Sequence, residues 1–219
     1  MKTILAYGDS LTYGHNAEGW GTPDAGGGRH AFEDRWPSVL EAGLGGRARV
    51  IPEGLGGRTT AFDDWSAVTD RNGARVLPTI LGSHMPLDAV VIMLGTNDLK
   101  TYLNGSAFGA AMGVKRLVEI IRTFPYAPGV AVPQVVIVAP PRVVKTRHRD
   151  LSHMFANGLD ESALFGTHYA RVAEDLGCAF FDAATVATAT ELDGVHLDAE
   201  NTRAIGTALV PVVSKLLGL

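Results

Sequence analysis

Apolar positions along the 219-residue chain follow two alternating patterns. The first is the short unbroken run: Thr3-Ile4-Leu5-Ala6-Tyr7, Ala89-Val90-Val91-Ile92-Met93-Leu94 and Gln134-Val135-Val136-Ile137-Val138, with weaker runs at Arg49-Val50-Ile51 and Ala179-Phe180-Phe181. A strand that is apolar at consecutive rather than alternate positions is buried on both faces, as in a parallel sheet covered by helices. The second pattern has helical period. Val114, Leu117, Val118 and Ile121 share one face, and Phe165, Tyr169, Val172 and Leu176 share another. Ile205, Leu209, Val212, Val213 and Leu216 mark a C-terminal helix that Pro211 is expected to kink or restart. The β/α alternation predicts a three-layer α/β/α sandwich around a mostly parallel sheet of about five strands. One domain, residues 1–219, with no internal repeat, accounts for the whole pattern. Residues 19–34, rich in glycine, and residues 140–160, opened by a Pro-Pro pair, read as irregular. The first stretch and its flank carry Trp20, Phe32 and Trp36, which suggests an interface or pocket wall and hence a homo-oligomer.

Composition narrows the function classes. With 46% hydrophobic residues the chain has material for a sizeable core, so disorder is not expected. A net charge of −4, with no face dense in Lys and Arg, gives a nucleic-acid backbone nothing to bind. The short run Lys145, Arg147, His148 and Arg149 reads as a solvated loop. Cys178 is the single cysteine, so no intrachain disulfide forms, and its apolar neighbours make it a small core residue. No apolar stretch reaches membrane-spanning length. After Lys2 only residues 3–7 precede Gly8-Asp9, too few for the apolar part of a signal peptide. A cytoplasmic protein without membrane contact is therefore expected.

In an open α/β sheet, ligands sit beyond the carboxyl ends of the strands. The first strand ends in Gly8-Asp9-Ser10-Leu11. A serine opening a helix there has an outward amide, which suits a nucleophile that helps hold its own oxyanion; as a plain structural residue it would be a helix N-cap. The second strand leads into Glu53-Gly54-Leu55-Gly56-Gly57-Arg58-Thr59-Thr60. Its glycines permit positive φ and close ligand approach, or simply form a turn. It lacks the third glycine of a dinucleotide loop. The third strand ends in Gly95-Thr96-Asn97-Asp98. The Asn97 amide could donate to a developing oxyanion and Asp98 could tie down the loop, although Asn-Asp is also an ordinary turn. After the fifth strand comes Asp193-Gly194-Val195-His196, a spacing that lets a carboxylate bond one imidazole nitrogen while the other faces a serine. Asp150-Leu151-Ser152-His153 repeats that spacing. The later pair is favoured because it lies just ahead of the last helix, after the final strand.

Together these four segments resemble the SGNH hydrolase (GDSL esterase) superfamily, in the family's order and over nearly the whole chain. The resemblance implies a flavodoxin-like sandwich with Ser10 as nucleophile, His196 as general base and Asp193 as its orienter. It places the Ser10 and Gly57 amides and the Asn97 side chain in the oxyanion hole. Gly54 to Thr60, with Arg58 where many members carry an acid, and residues 87–100 look like the bacterial arylesterase/acyltransferase branch. That branch implies short-chain acyl esters, including aryl acetates and acetylated carbohydrates, some acyl transfer to alcohols or peroxide, an oligomer, and no metal or other cofactor. Thr96 and Val195, next to the expected catalytic positions, and Phe155, from the irregular stretch, are the expected substrate-binding residues. Two other classes stay open: a metal-dependent phosphoesterase, for which the histidines lack ligand spacing, and a non-catalytic sugar-binding module on the same scaffold.

Overall fold

The computed structural model describes residues 1–19, 28–103 and 105–219. Five parallel strands form one sheet: β1 (Lys2–Gly8), β2 (Ala48–Gly54), β3 (Ala89–Met93), β4 (Gln134–Ala139) and β5 (Ala179–Asp182), in the order β2-β1-β3-β4-β5. Each expected strand is present: β2 is longer than expected by four residues, and the others are extended by one or two or trimmed by one. All-parallel pairing follows from the apolar runs, since β1, β3 and β4 send alternate side chains into two separate cores. Leu5, Tyr7, Val90, Ile92, Val135 and Ile137 pack beneath α3 (Gly73–His84), α4 (Ala107–Thr123) and α7 (Phe165–Leu176). Ile4, Ala6, Val91, Met93, Val136 and Val138 pack beneath α2 (Trp36–Gly43) and α8 (Ala199–Leu217). Burying one such Ile, Leu or Val side chain is worth roughly 1.5–3 kcal/mol. The helical faces read from the sequence point inward: Val114, Leu117, Val118 and Ile121 on α4, and Phe165, Tyr169 and Val172 on α7.

Three expectations change. Pro211 does not restart the C-terminal helix, which runs unbroken through residues 199–217. Pro211 and Thr207, four residues back, both lie on the exposed face, where water can take the carbonyl that proline leaves without a donor. Residues 140–160 are partly helical, with α5 (Leu151–Met154) and the start of α6 (Gly158–Ser162). Trp36 is no surface wall. It is fully buried, its amide donating to Thr202 Oγ1 and its indole N–H to Thr12 Oγ1. Phe32 is exposed, and Trp20 lies outside the described residues. Cys178 is half-buried against the α4/α7 core, where burial pushes its thiol up and Arg122 opposes.

The chain leaves β1 for β2 on one side and returns to β3 on the other, so the sheet's order reverses at the β1/β3 boundary. Gly8 and Met93 are paired in register there, at the carboxyl ends of the two strands. Ser10 and Asn97 follow within four residues of that pair, flanking the crevice where open sheets bind ligands.

Candidate active site

The turn after β1 begins with Asp9, which takes the capping role that Ser10 might have held. Asp9 Oδ1 accepts the Leu11 amide at 2.9 Å, at the start of α1 (Ser10–Tyr13). The Ser10 hydroxyl is thereby left for another partner, and its amide, in the first turn, has no acceptor within the helix. His196 Nε2 stands 2.9 Å from Ser10 Oγ, and His196 Nδ1 stands 2.5 Å from Asp193 Oδ2. With the proton on Nδ1, the imidazole donates to Asp193 and accepts from Ser10. Asp193 Oδ1 also accepts the amides of Val195 and His196, each at 2.9 Å. These three side chains are 2–9% exposed, so their mutual bonds compete little with water. Burial acts to raise the Asp193 pKa, but the His196 hydrogen bond and charge and the two amides outweigh it and hold Asp193 at about 2. Asp193 is thus an anion wherever an imidazolium beside it would need one.

The loops after β2 and β3 meet beside Ser10. Gly57 has φ +83°, a left-handed conformation that L side chains adopt at a cost. Asn97 Nδ2 donates to Arg58 O and Asp9 Oδ2, both at 3.2 Å, which holds the amide between the two loops. Asp98 does more than tie its own turn. It accepts the Thr60 amide at 3.0 Å and the Thr60 hydroxyl, and so locks the β2 loop to the β3 loop. Arg58, conspicuous in the sequence, faces inward. It donates to Gly8 O and Glu53 O and lies 4.3 Å over the Tyr7 ring, clamping the ends of β1 and β2. On the other side, Tyr169 donates to Leu94 O and packs where a Cβ on Gly95 would stand, which sets the start of the Asn97 turn. Burial raises Asp9 to about 6 and Asp98 to about 7, each against the hydrogen bonds it accepts.

A cavity of about 260 Å³ opens over these groups, lined by Ser10, Gly57, Asn97, His196, Val195 and Phe155 among others. Of the expected substrate contacts, Val195 and Phe155 therefore reach it. Thr96 does not: it is buried outside the lining, because the side chain that turns toward Ser10 belongs to the next residue. The rival pair stays apart. Asp150 and His153 sit on and before α5, exposed, with no hydrogen bond between their side chains. Three polar lining residues escaped sequence reasoning, as did the apolar Met154. His15 packs its ring 4.1 Å from that of His196, and burial lowers its pKa to about 4, with His196 adding to the shift. Arg71 and Lys100 are the two cationic residues of the lining. His15 and Arg71 lie in no motif, and Lys100 only closes the 87–100 segment with no site role read for it; the fold brings all three in. His15, Asp193 and His196 also place their ligand atoms within 4.8 Å of one another, a metal-sized cluster that no histidine spacing announced. A metal there would have to displace the bonds that already join Asp193, His196 and Ser10.

Comparison with known proteins gives the same lineage. A family model described as the GDSL-like lipase/acylhydrolase family matches residues 6–203. Among solved structures, a carbohydrate acetylesterase family member from Sinorhizobium meliloti is 52% identical over 100% of both chains, with a TM-score of 0.95. The aryl esterase of M. smegmatis is 37% identical over 99% of this chain and 100% of its own, with a TM-score of 0.91. A second carbohydrate acetylesterase of S. meliloti is 34% identical over the same shares, also at 0.91. No curated protein matches. Among the described residues no helix is long and apolar enough to cross a membrane. With a matching model over nine-tenths of its length and full-length relatives of this identity, the chain belongs to the GDSL-like lipase/acylhydrolase family.

Proposed function

We propose that the protein is a serine esterase that cleaves short acyl esters, acetyl esters of aryl alcohols or carbohydrates foremost, with Ser10, His196 and Asp193 as its catalytic residues. One observation carries the reading: the unbroken chain of contacts from Asp193 through His196 to Ser10, at 2.5 and 2.9 Å, opening into a cavity. The names of the relatives support the substrate class.

In the first half-reaction Ser10 Oγ attacks the ester carbonyl and its proton passes to His196 Nε2. The carbonyl oxygen becomes an oxyanion, which takes hydrogen bonds from the Ser10 and Gly57 amides and from Asn97 Nδ2. The Asn97 bonds to Arg58 O and Asp9 are long, at 3.2 Å, and a full negative charge competes well with them. The intermediate collapses, the C–O bond to the alcohol breaks, and His196 returns its proton to the leaving oxygen. Water then adds to the acyl-serine by the same route and releases the acid. General-base help is worth roughly 10²–10⁴-fold and each oxyanion donor roughly 10²–10³-fold. The cavity's apolar lining lets an alcohol compete with water as acyl acceptor, so transfer accompanies hydrolysis.

The test is release of 4-nitrophenol from its acetate ester. Ser10→Ala should lower kcat/KM by roughly 10³-fold or more with the circular dichroism unchanged. A serine-directed phosphonate should inactivate the wild type at one equivalent per chain. The same assay after EDTA treatment should be unchanged. A loss restored by Zn²⁺ would move the chemistry to the cluster of His15, Asp193 and His196. A Ser10→Ala variant that kept its activity would end the serine reading.

The assembly we propose is a homo-oligomer. Trp65 is 75% exposed and Val68 fully so, on one loop, and Phe108 and Met112 are exposed one turn apart on α4. Apolar surface of this kind is stabilised by a partner chain.

A further inference from the structure

Two cations, Arg71 and Lys100, line the cavity together with the apolar Leu151, Met154, Phe155 and Val195. No carboxylate is among the described lining residues. Lys100 is accounted for. Its side chain is 5% exposed, and Nζ donates at 2.7 Å to Oδ2 of Asp64, whose own side chain is fully buried. That pair is close to neutral as a unit. Arg71 is not accounted for. Its Nη1 lies 3.9 Å from the same Asp64 oxygen, beyond hydrogen-bond reach, and Asp64 already serves Lys100 and Ser66. No Arg71 side-chain nitrogen makes a hydrogen bond among the described residues; its Nε is buried without a partner, as is that of Arg58, but Nη1 of Arg58 is engaged and the Nη atoms of Arg71 are not.

Arg58 shows what a structural arginine looks like here: it donates to two strand-end carbonyls and covers a tyrosine ring. Arg71 has neither kind of partner, yet its backbone is fixed, its carbonyl accepting the Thr59 amide at 3.0 Å. The guanidinium packs directly over Gly57, close enough that a Cβ built there would stand 2.3 Å from Nη1. A planar fork of unmet donors beside the reacting centre matches a carboxylate, which takes two parallel N–H···O bonds. The carboxylates beside Ser10 and His196 are engaged elsewhere, Asp193 with His196 and Asp9 with Leu11 and Asn97. The chain's net charge of −4 would repel an anion at long range, so any attraction comes from Arg71.

We propose that Arg71 binds a carboxylate on the substrate, so that the preferred esters carry an anionic group in addition to the scissile acyl ester. The inference deepens the esterase reading and rests on it. The anion would be carried by the aryl or sugar alcohol, or by the far end of a short diacid acyl group.

Two matched ester pairs test it. Acetylsalicylate is compared with its methyl ester, and 4-nitrophenyl hydrogen succinate with its methyl ester, in wild type, Arg71→Met and Arg71→Lys. The ratio of kcat/KM between the anionic and neutral partner is taken for each enzyme, so that intrinsic reactivity cancels between variants. In at least one pair, Arg71→Met should lower that ratio roughly tenfold or more, the size of one hydrogen bond to a charged group, and Arg71→Lys should retain part of it. Neutral esters cleaved by wild type with ratios that Arg71→Met leaves untouched would overturn the charge selection alone. If no ester is cleaved, or cleavage survives Ser10→Ala, the esterase reading fails and this inference with it.

Discussion

A serine hydroxyl is a poor nucleophile at neutral pH, and its neighbours decide whether it becomes a good one. Around Ser10 each neighbour has a separate task. Asp9 caps α1, His196 takes the hydroxyl, and Asp193 orients His196 while remaining an anion because its pKa is held at about 2. His15, brought down to about 4 mainly by burial, stays neutral above pH 5 and so adds no positive charge beside an imidazolium on His196. The two D-x-x-H pairs separate at this scale. His196→Ala should cost roughly 10³-fold or more in kcat, whereas His153→Ala, exposed and away from Ser10, should leave kcat within a few-fold. Steady-state kinetics on one aryl acetate ranks them, and the opposite order would transfer the base to α5. Asp193 and His196 were legible as a spacing. The choice between the pairs was legible only from chain order, the later pair lying just ahead of the last helix, because a D-x-x-H spacing says nothing of what lies opposite the imidazole.

Among the elements, the loops carry the chemistry and the strands aim them. The expected strands were readable because burial on both faces leaves a continuous apolar run, which few other structures demand. Short helices were not: α5 has four residues and α6 five, less than two turns, so their period cannot emerge from the surrounding pattern. They matter, since α5 supplies Leu151 and Met154 to the cavity and Phe155 follows directly. Those side chains, with Val195, line a half-open space of about 260 Å³, at the small end for ligand sites. Val195 is also stiff about χ1. Each further methylene on the acyl chain would gain roughly 0.8 kcal/mol in open apolar space, but here it must displace packed neighbours. Acetyl and propionyl 4-nitrophenyl esters should therefore be cleaved much faster than octanoyl. Phe155→Ala should narrow the gap by improving the longer ester. A wild type that prefers octanoyl would contradict the packed wall.

At the scale of the whole molecule, two carboxylates, Asp9 and Asp98, are buried where the three loops meet. Their folded pKa values, about 6 and about 7, lie above the roughly 4 of an unfolded chain. Between about pH 4 and 7 the folded state keeps protons that the unfolded state has lost, so stability falls as pH rises through that window. Asp193 acts in the opposite sense: its stabilising contribution is present above about pH 4 and is lost as pH falls towards 2. Urea unfolding measured from pH 4.5 to 7.5 should show the decline, and Asp98→Asn should flatten it by up to one proton. A variant curve parallel to wild type would mean that Asp98 ionises as freely in the fold as outside it. Assembly belongs to this scale too. Light scattering at micromolar concentration should return a multiple of 23.1 kDa, and Trp65→Ser with Val68→Ser should lower it. A monomer in the wild type would leave the exposed Trp65 loop without a partner chain.

The order of strands and helices, the burial of the sheet on both faces, and the four segments that lie near Ser10 were properties of the sequence alone. Each is a local pattern, an apolar run, a helical period or a short motif, and local patterns survive without knowledge of what folds against them. Tertiary structure decided the rest. It put Asn97 rather than Thr96 over the cavity, turned Arg58 inward as a clamp, and left Arg71 facing the site with its donors unmet. It brought His15 to His196 across 181 positions and buried Trp36 beneath α8. Contacts of this kind depend on which faces meet across the β1/β3 boundary, and residues distant in sequence acquire their environment only when the sheet closes that boundary between them.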